Sequence, residues 1–554
     1  MAGKWWQKAI VYQVYPKSFQ DTNGDGIGDL QGIIRRLDYL QDLGVNMLWL
    51  CPINVSPMCD NGYDIEDYYH IDPSFGTDED FEALIREAGS RQMKVIMDLV
   101  VNHCSYRHKW FQDVLRNPAS PYASYFIIRE GFGGKEPNNL RCYPGGSAWE
   151  RIGNSNRFYF HSFAKEQPDL DWENAALRDE ICTMMNYWQD KGVAGFRVDA
   201  IGNLKKSDQA LSRTRFEPDG EDGLTSLAPY VLMQDGIQDY LKEMRDRVFK
   251  PHDSFTVAEV SVPEHKLLEF IGPDGYFSTV FDFSYTDIDV EERGGATWKR
   301  PWTFREMKEK IILSQMDVQK YGFASPYLEN HDQPRSVSKY IPSRDRSYES
   351  VTALATMYFF LRGVPFIFQG QELGMENCPF RSIEDFRDPV ALQRYAQALE
   401  RGEDPEAVFA YLRERGRDNG RTPMQWDSTE NAGFSEGTPW IMVNPGYVQC
   451  NALSQMREGH SIYHYYKDMI TLRKKEAYAS VLETGWFVPV ETRDDRLFCY
   501  RRENDSQSVR VLINFSADYV RVPENLMTGE VLLSNREASE NGRLMPYHAI
   551  VFSE

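Results

Sequence analysis

At 554 residues the chain is too long for one small core, yet a single barrel of roughly 250 to 400 residues with attachments accounts for it. Its 83 acidic side chains against 62 basic ones leave a formal charge of −21, which repels a nucleic-acid backbone, and no Lys/Arg run offers a local exception. No stretch approaches the roughly 18 apolar residues of a membrane span, and Met1 to Trp6 lacks the apolar run of a secretory signal. A cytoplasmic protein with small or neutral partners, no nucleic acid and no membrane is expected.

In chain order, short apolar runs predict strands at Ile10 to Tyr15, Met47 to Leu50, Val95 to Val101, Gly195 to Val198, Phe255 to Ala258, Thr279 to Phe281, Ala324 to Leu328 and Pro365 to Phe368. Helical patterns lie between them. Ile33, Leu37 and Leu40 repeat at helical spacing before Gly44; Phe81, Leu84, Ile85 and Ala88 follow a Thr77/Asp80 capping pair; Leu177, Ile181, Met184, Met185 and Trp188 run to Gly192. Eight alternating units predict an α/β fold, a (β/α)₈ TIM barrel, in preference to an open doubly wound sheet. About 94 residues separate the third run from the fourth, against about 45 between the second and third, so a small domain is inserted after strand 3. From about Ser480 the pattern changes to alternating strands with Asn, Asp and Gly turns, a C-terminal antiparallel β domain. The expected bounds are 1–103 and 175–479 for the barrel, 104–174 for the insertion and 480–554 for the C-terminal domain.

Eight cysteines at positions 51, 59, 104, 142, 182, 378, 450 and 499 form no CxxC pair, so reduced thiols are expected. Barrel enzymes place their chemistry at the C-terminal strand ends. There the sequence has Asp98 and His103, Arg197 and Asp199, Glu259, and Glu329 to Asp332. A strand has a side-chain period of two, so Arg197 and Asp199 point the same way and the guanidinium should keep the carboxylate ionised. Glu259 lies among Val257, Ala258 and Val260, where desolvation should raise its pKa toward that of a general acid. Two carboxylates with separated pKa values are the equipment of a retaining glycosidase. Singly, each feature reads as an ion pair or an ordinary polar loop; four at four strand ends converge on catalysis.

The blocks Asp98 to His103, Gly195 to Asp199, Glu259 and Asn330 to Asp332, in this order, resemble the four signature blocks of the α-amylase superfamily, glycoside hydrolase family 13. Val11 to Phe19, Gln167 to Leu170 with Trp172 to Asn174, and Arg421 to Asp427 resemble its oligo-1,6-glucosidase and α-glucosidase branch. The resemblance implies Asp199 as nucleophile, Glu259 as proton donor and Asp332 as transition-state stabiliser. It also implies that His103 and His331 bind sugar hydroxyls, that Tyr63 is an aromatic platform, and that Phe163 and Gln167 line the pocket from the insertion. Arg197 and Ala200 belong to the same pocket, and Asp64 with Arg417 would bind the non-reducing end of the sugar and, if they pair, close the pocket. Ala200 stands where the branch has Val for α-1,6 cleavage and Ala, Gly or Thr for α-1,4, so α-1,4 is slightly favoured in a retaining, exo-acting α-glucosidase of short α-glucosides.

Trehalose-6-phosphate hydrolases, sucrose isomerases and glucosyl transferases resemble the same branch and stay open as alternatives. Non-catalytic members that act as binding subunits lack the carboxylates and carry an anchor, unlike this sequence. Asp21, Asn23, Asp25, Ile27 and Asp29 supply oxygen at alternate positions, with Gly24, Gly26 and Gly28 permitting a tight turn around one hard cation, although Gly32 stands where an EF-hand has its Glu. A structural Ca²⁺ is expected, with Mg²⁺ as the alternative and no organic cofactor. The sequence does not fix an oligomeric state.

Overall fold

Eight parallel strands close into a barrel in the computed structural model, which describes residues 3–117, 119–293, 296–537 and 542–554. They are β1 (Val11–Val14), β2 (Met47–Leu50), β3 (Lys94–Leu99), β4 (Gly195–Val198), β5 (Phe255–Ala258), β6 (Thr279–Phe281), β7 (Phe323–Ser325) and β8 (Phe366–Phe368). From β1 to β7 each pairs with the next, β8 pairs with β1, and only an isolated parallel bridge from Ala324 to Gly363 joins β7 to the approach of β8.

The period of two sorts the strand residues onto two faces. Val11, Trp49, Ile96, Val257, Phe281 and Phe366 fill the barrel interior, with Trp6 packed against Phe255 and Phe323. Tyr12, Leu48, Met97, Phe196 and Val198 point outward into the larger core shared with the helices. Two steps on from Ile96 comes Asp98, two on from Val257 comes Glu259, and Arg197 lies between the outward Phe196 and Val198. The interior face therefore turns from apolar to charged at the C-terminal ends of β3, β4 and β5.

The covering helices start and stop where their capping residues dictate. Asp29 accepts from the Gly32 N–H to begin α1 (Leu30–Leu43), and Gly44, at φ 100°, ends it. Thr77 and Asp80 form a reciprocal capping box at α2 (Asp78–Ser90), and Asn174 caps α3 (Ala175–Asp190). Further on come α4 (Tyr348–Phe359), α5 (Pro389–Glu400) and α6 (Pro405–Arg415).

Between β3 and β4 the insertion carries a three-stranded antiparallel sheet of Ile128–Glu130, Arg157–Phe160 and Trp149–Arg151. Its Leu140–Arg141 also pairs in parallel with Thr225–Ser226, and Ala210, Leu227 and Val231 join the insertion's apolar cluster. Residues after β4, expected to belong to the barrel, thus complete the core of the insertion. At the other end, the helix Glu476–Thr484 runs through residue 480 before the chain enters a five-stranded antiparallel sheet. Its strands are β9 (Trp486–Val490), β10 (Leu497–Glu503), β11 (Ser508–Asn514), β12 (Glu530–Ser534) and β13 (Ala549–Ser553), in the order β9-β10-β11-β13-β12. Among the described residues no helix is long and apolar enough to cross a membrane.

Candidate active site

Strand register assembles the centre of the site. Arg197 on β4 is the direct neighbour of Asp98 on β3 and of Val257 on β5. One guanidinium nitrogen of Arg197 donates to Asp98 Oδ1 at 2.6 Å and to Asp199 Oδ1 at 2.7 Å, and the other pairs with Glu259 Oε1. Three carboxylates therefore share one buried cation. The Arg197 and Asp98 side chains are 1% and 0% exposed, against 10% for Asp199, 23% for Glu259 and 32% for Asp332, so the last three open into the pocket while the first two hold them from behind.

Sharing changes the expected electrostatics. Burial, opposed by Arg197 but reinforced by Asp98 and Asp332, pushes Asp199 up to about 7; burial, again opposed by Arg197 and reinforced by Asp199, pushes Glu259 up to about 7 as well. Asp98 rises to about 6 for the same leading reason. The expectation that Arg197 holds Asp199 low is thus corrected: one guanidinium cannot offset burial for three carboxylates at once. Asp332 goes the other way. Burial opposes its charge, but His331, Arg417 and Arg421 outweigh it and hold the carboxyl well below the usual range.

Asp332 accepts from Arg421 at 2.8 Å and from Arg417 at 3.3 Å, and its other oxygen lies 3.2 Å from His331 Nε2. The imidazole of His331 stacks on Tyr63 with ring centroids 5.2 Å apart, and the Tyr63 hydroxyl reaches both His331 Nε2 at 2.6 Å and Asp98 Oδ2 at 2.9 Å. Burial, opposed by Asp332, pushes His331 down to about 3. Tyr63 is itself buried, braced between the histidine and Asp98.

The expected pairing of Asp64 with Arg417 does not form. Asp64 is fully buried and turns back on its own loop, accepting from Ser56 Oγ and from the N–H groups of Cys59 and Asp60. Arg417 instead pairs with Asp60 at 3.1 Å, Asp388 at 2.6 Å and Asp332 at 3.3 Å. Asn61 and Gly62, both at positive φ, make the bend that sends Asp60 toward the guanidinium and Asp64 away from it. From the insertion, Gln167 Nε2 reaches Asp60 Oδ2 at 3.2 Å and His103 Nε2 at 3.2 Å, while Phe163 packs on the His103 ring at 5.0 Å. Ala200 follows Asp199 in a left-handed turn, φ 45°, and its N–H donates to Glu259 Oε2 at 2.9 Å. All twelve expected catalytic and pocket residues except Asp64 thus lie in one connected cluster at the barrel mouth.

The Asp21 to Asp29 loop lies apart from this cluster, at the β1 to α1 connection. Asp21 accepts from the N–H groups of Asn23, Gly24 and Gly26 and from Ser435 Oγ; Asp25 accepts from Ile27; Asp29 accepts from Thr22 and Gly32. Among the described residues no three His, Cys, Asp or Glu side chains gather as a ready-made cage. The fit of the loop to a hard cation rests on its all-oxygen donor set.

The model of the alpha amylase catalytic domain matches residues 13–482, and that of a domain of unknown function matches residues 485–552. The chain belongs to the α-amylase family. It is 40% identical to the oligo-1,6-glucosidase of Parageobacillus thermoglucosidasius over 561 residues, 99% of this chain and 98% of that protein. It is 41% identical to the trehalose-6-phosphate hydrolase of Bacillus subtilis (strain 168) over 566 residues, 99% of this chain and 98% of that one. Among solved structures, the isomaltulose synthase of Protaminobacter rubrum superposes with a TM-score of 0.93 at 34% identity, covering all of both chains. This member of the α-amylase family is a glycoside hydrolase, with an α-glucosidase's relatives.

Within the family site, the sequence alone assigned no role to Asp98, Asp60, Asp388 or Arg421. Asp98 stood at a strand end and could have been placed by the register with Arg197. Asp388 had no signal beyond preceding Pro389 as a helix cap, and Asp60 and Asp64 are two candidates of one type in one loop.

Proposed function

We propose that the protein is a retaining, exo-acting α-glucosidase that releases glucose from the non-reducing end of short α-glucosides. The observation that carries this reading is the Arg197-centred set of carboxylates, with Asp199 and Glu259 opening from adjacent strands into one pocket. Asp199 attacks the anomeric carbon as its bond to the leaving oxygen breaks, and Glu259 gives that oxygen its proton; water then attacks the glucosyl ester as Glu259 takes the water's proton back. Asp332, held ionised by Arg417 and Arg421, faces the developing positive charge of the sugar. Arg417, bridging Asp60, Asp332 and Asp388, closes the pocket on one side, which suits removal of one terminal glucose. His103, His331, Phe163, Gln167 and Tyr63 provide the remaining polar and aromatic wall.

Ala200 keeps α-1,4 linkages slightly favoured, whereas several relatives carry the name oligo-1,6-glucosidase. Trehalose 6-phosphate is the second reading, favoured by the relative from Bacillus subtilis and by the structure of the Bacillus licheniformis hydrolase at 37% identity and a TM-score of 0.90. Glucose release from maltose, isomaltose, sucrose, trehalose and trehalose 6-phosphate separates these substrates, and an isomerised disaccharide in place of glucose would overturn hydrolysis. Asp199→Asn is expected to fold normally and lose activity by about 10³-fold or more. Proton NMR of early product should show α-glucose before β-glucose; the reverse order contradicts retention. The Asp21 to Asp29 loop is proposed to hold a structural Ca²⁺, or Mg²⁺, through oxygens of Asp21, Asn23, Asp25, Ile27 and Asp29. A melting temperature that rises with added Ca²⁺ and falls with chelator supports this, and an unchanged one removes it.

A further inference from the structure

The left-handed turn at Ala200 is costly for a residue with a side chain, and its N–H is the backbone contact that fixes the Glu259 carboxyl. What holds the turn is a polar network that links its own loop, at Asn203 and Lys206, to the insertion, at Tyr143 and Asp169. Asn203 donates to the Ala200 carbonyl from its backbone N–H at 2.9 Å and from its side chain at 3.3 Å. The Asn203 side-chain carbonyl in turn accepts from the Tyr143 hydroxyl of the insertion at 2.7 Å. Lys206, its side chain 1% exposed, donates to the Asn203 carbonyl and to Asn102 Oδ1 and pairs at 2.8 Å with Asp169 of the insertion, whose side chain is 0% exposed. Asp169 is fixed from its own side by the N–H and hydroxyl of Ser162. None of these four side chains bonds directly to Asp199, Glu259 or Asp332.

We propose that Lys206, Asn203, Tyr143 and Asp169 are positioning residues, through which docking of the insertion sets the Ala200 turn and thereby the place of the proton donor Glu259. This rests on the assignment of Glu259 as general acid under the proposed function. The physical argument is one of over-determination. A strained turn persists only where its surroundings hold it, and here two of the holding groups, Tyr143 and Asp169, come from a different packing unit than the turn itself. Loosening them lets the N–H of Ala200 move, so the carboxyl that depends on it loses its fixed relation to the leaving oxygen.

The experiment compares hydrolysis of α-glucosides that share the glucose but differ in leaving group: 4-nitrophenyl, which needs little protonation, and methyl, which needs much. Tyr143→Phe removes one hydroxyl from a half-exposed position, and the double variant Lys206→Met with Asp169→Asn removes a buried ion pair without stranding either charge. For the double variant the expected result is a kcat about tenfold or more lower on the methyl glucoside with little change on the nitrophenyl glucoside, and Tyr143→Phe should show the same pattern more weakly. An equal loss on both substrates, or no loss in either variant, would overturn the proposal. Glu259→Gln, measured in parallel, keeps the two readings apart. If it shows no leaving-group dependence, the acid assignment fails; if it does and the network variants do not, only the positioning role fails. A double variant that does not fold leaves the decision to Tyr143→Phe.

Discussion

Arg197 presents one positive charge to Asp98, Asp199 and Glu259, and the shortfall decides how the pair of pocket carboxylates titrates. Burial raises both Asp199 and Glu259 to about 7, and the Asp199 charge adds to the rise of Glu259, so the two carboxyls titrate in the same pH range. Catalysis needs the intermediate state with one proton, on Glu259, so kcat/KM should trace a bell centred near neutral pH, and Glu259→Gln should abolish its alkaline limb. The same shifts bear on stability. A carboxyl raised above its ordinary value of about 4 leaves the folded protein holding more protons than the unfolded chain, so its stabilising contribution is complete below pH 4 and is lost as pH rises through 7. Asp332, lowered by its cationic neighbours, has the opposite sign: its contribution stands above pH 4 and is lost as pH falls. Asp199→Asn removes one of three carboxylates competing for Arg197. Its melting temperature should exceed the wild-type value by roughly 1–2 °C at pH 8 and by less at pH 5, read by calorimetry. A variant less stable than wild type at pH 8 would mean that Asp199 is stabilised by Arg197 after all.

At the scale of elements, α5 ties the pocket rim to the barrel through its capping residue. Asp388 accepts from the N–H groups of Val390 and Ala391 as the helix cap and also pairs with Arg417, so one carboxylate both starts a helix and orients a pocket cation. Asp388→Asn keeps an acceptor for the cap but drops the charge, whereas Asp388→Ala drops both. The expected outcome is a raised KM for maltose or isomaltose in both variants, with an additional stability loss of about 1 kcal/mol in the alanine variant alone, measured by denaturant titration. Equal stability in the two variants would remove the capping role. This double duty explains part of what the sequence concealed. Strands such as Met47–Leu50, Gly195–Val198 and Phe255–Ala258 were legible because a strand buried on both faces is a short apolar run with sharp ends. The Asp199, Glu259 and Asp332 positions were legible because each follows such a run. Asp60 was not, because only the positive-φ bend at Asn61 and Gly62 decides which of two nearby aspartates meets Arg417. The shared titration was not either, since it depends on how many carboxylates one guanidinium faces across three strands. The pairing of Leu140–Arg141 with Thr225–Ser226 was hidden for a different reason: two residues are too few to leave a periodicity.

For the whole molecule, the C-terminal sheet is fastened to the barrel by an arginine, Arg502, that meets carbonyls rather than carboxylates. Arg502 on β10 is fully buried and donates to the carbonyls of Phe360 and Leu361, just past the end of α4, and twice to Gly485 at the start of β9. Within the barrel, Arg473, also buried, reaches the neighbouring carbonyls of Phe359 and Gly363 from the helix Ile462–Lys474. The carbonyl end of α4 carries partial negative charge, and a guanidinium fork answers several such oxygens at once, which a compact ammonium cannot. Burial, with Arg473 and Arg362 nearby, holds Arg502 well below the ordinary arginine value, so the carbonyl oxygens are what keep this charge tolerable inside the protein. Arg502→Leu leaves three carbonyls buried without this donor and should destabilise the protein by about 2–4 kcal/mol. Because the contacts lie between the barrel and the sheet, the loss should appear first as cleavage between Thr484 and Trp486 in limited proteolysis, with the leaving-group preference of the active site unchanged. Arg502→Lys tests the geometry of the fork: its charge is kept, yet most of the loss should remain, and a lysine variant as protease-resistant as wild type would show that charge alone holds the two parts together.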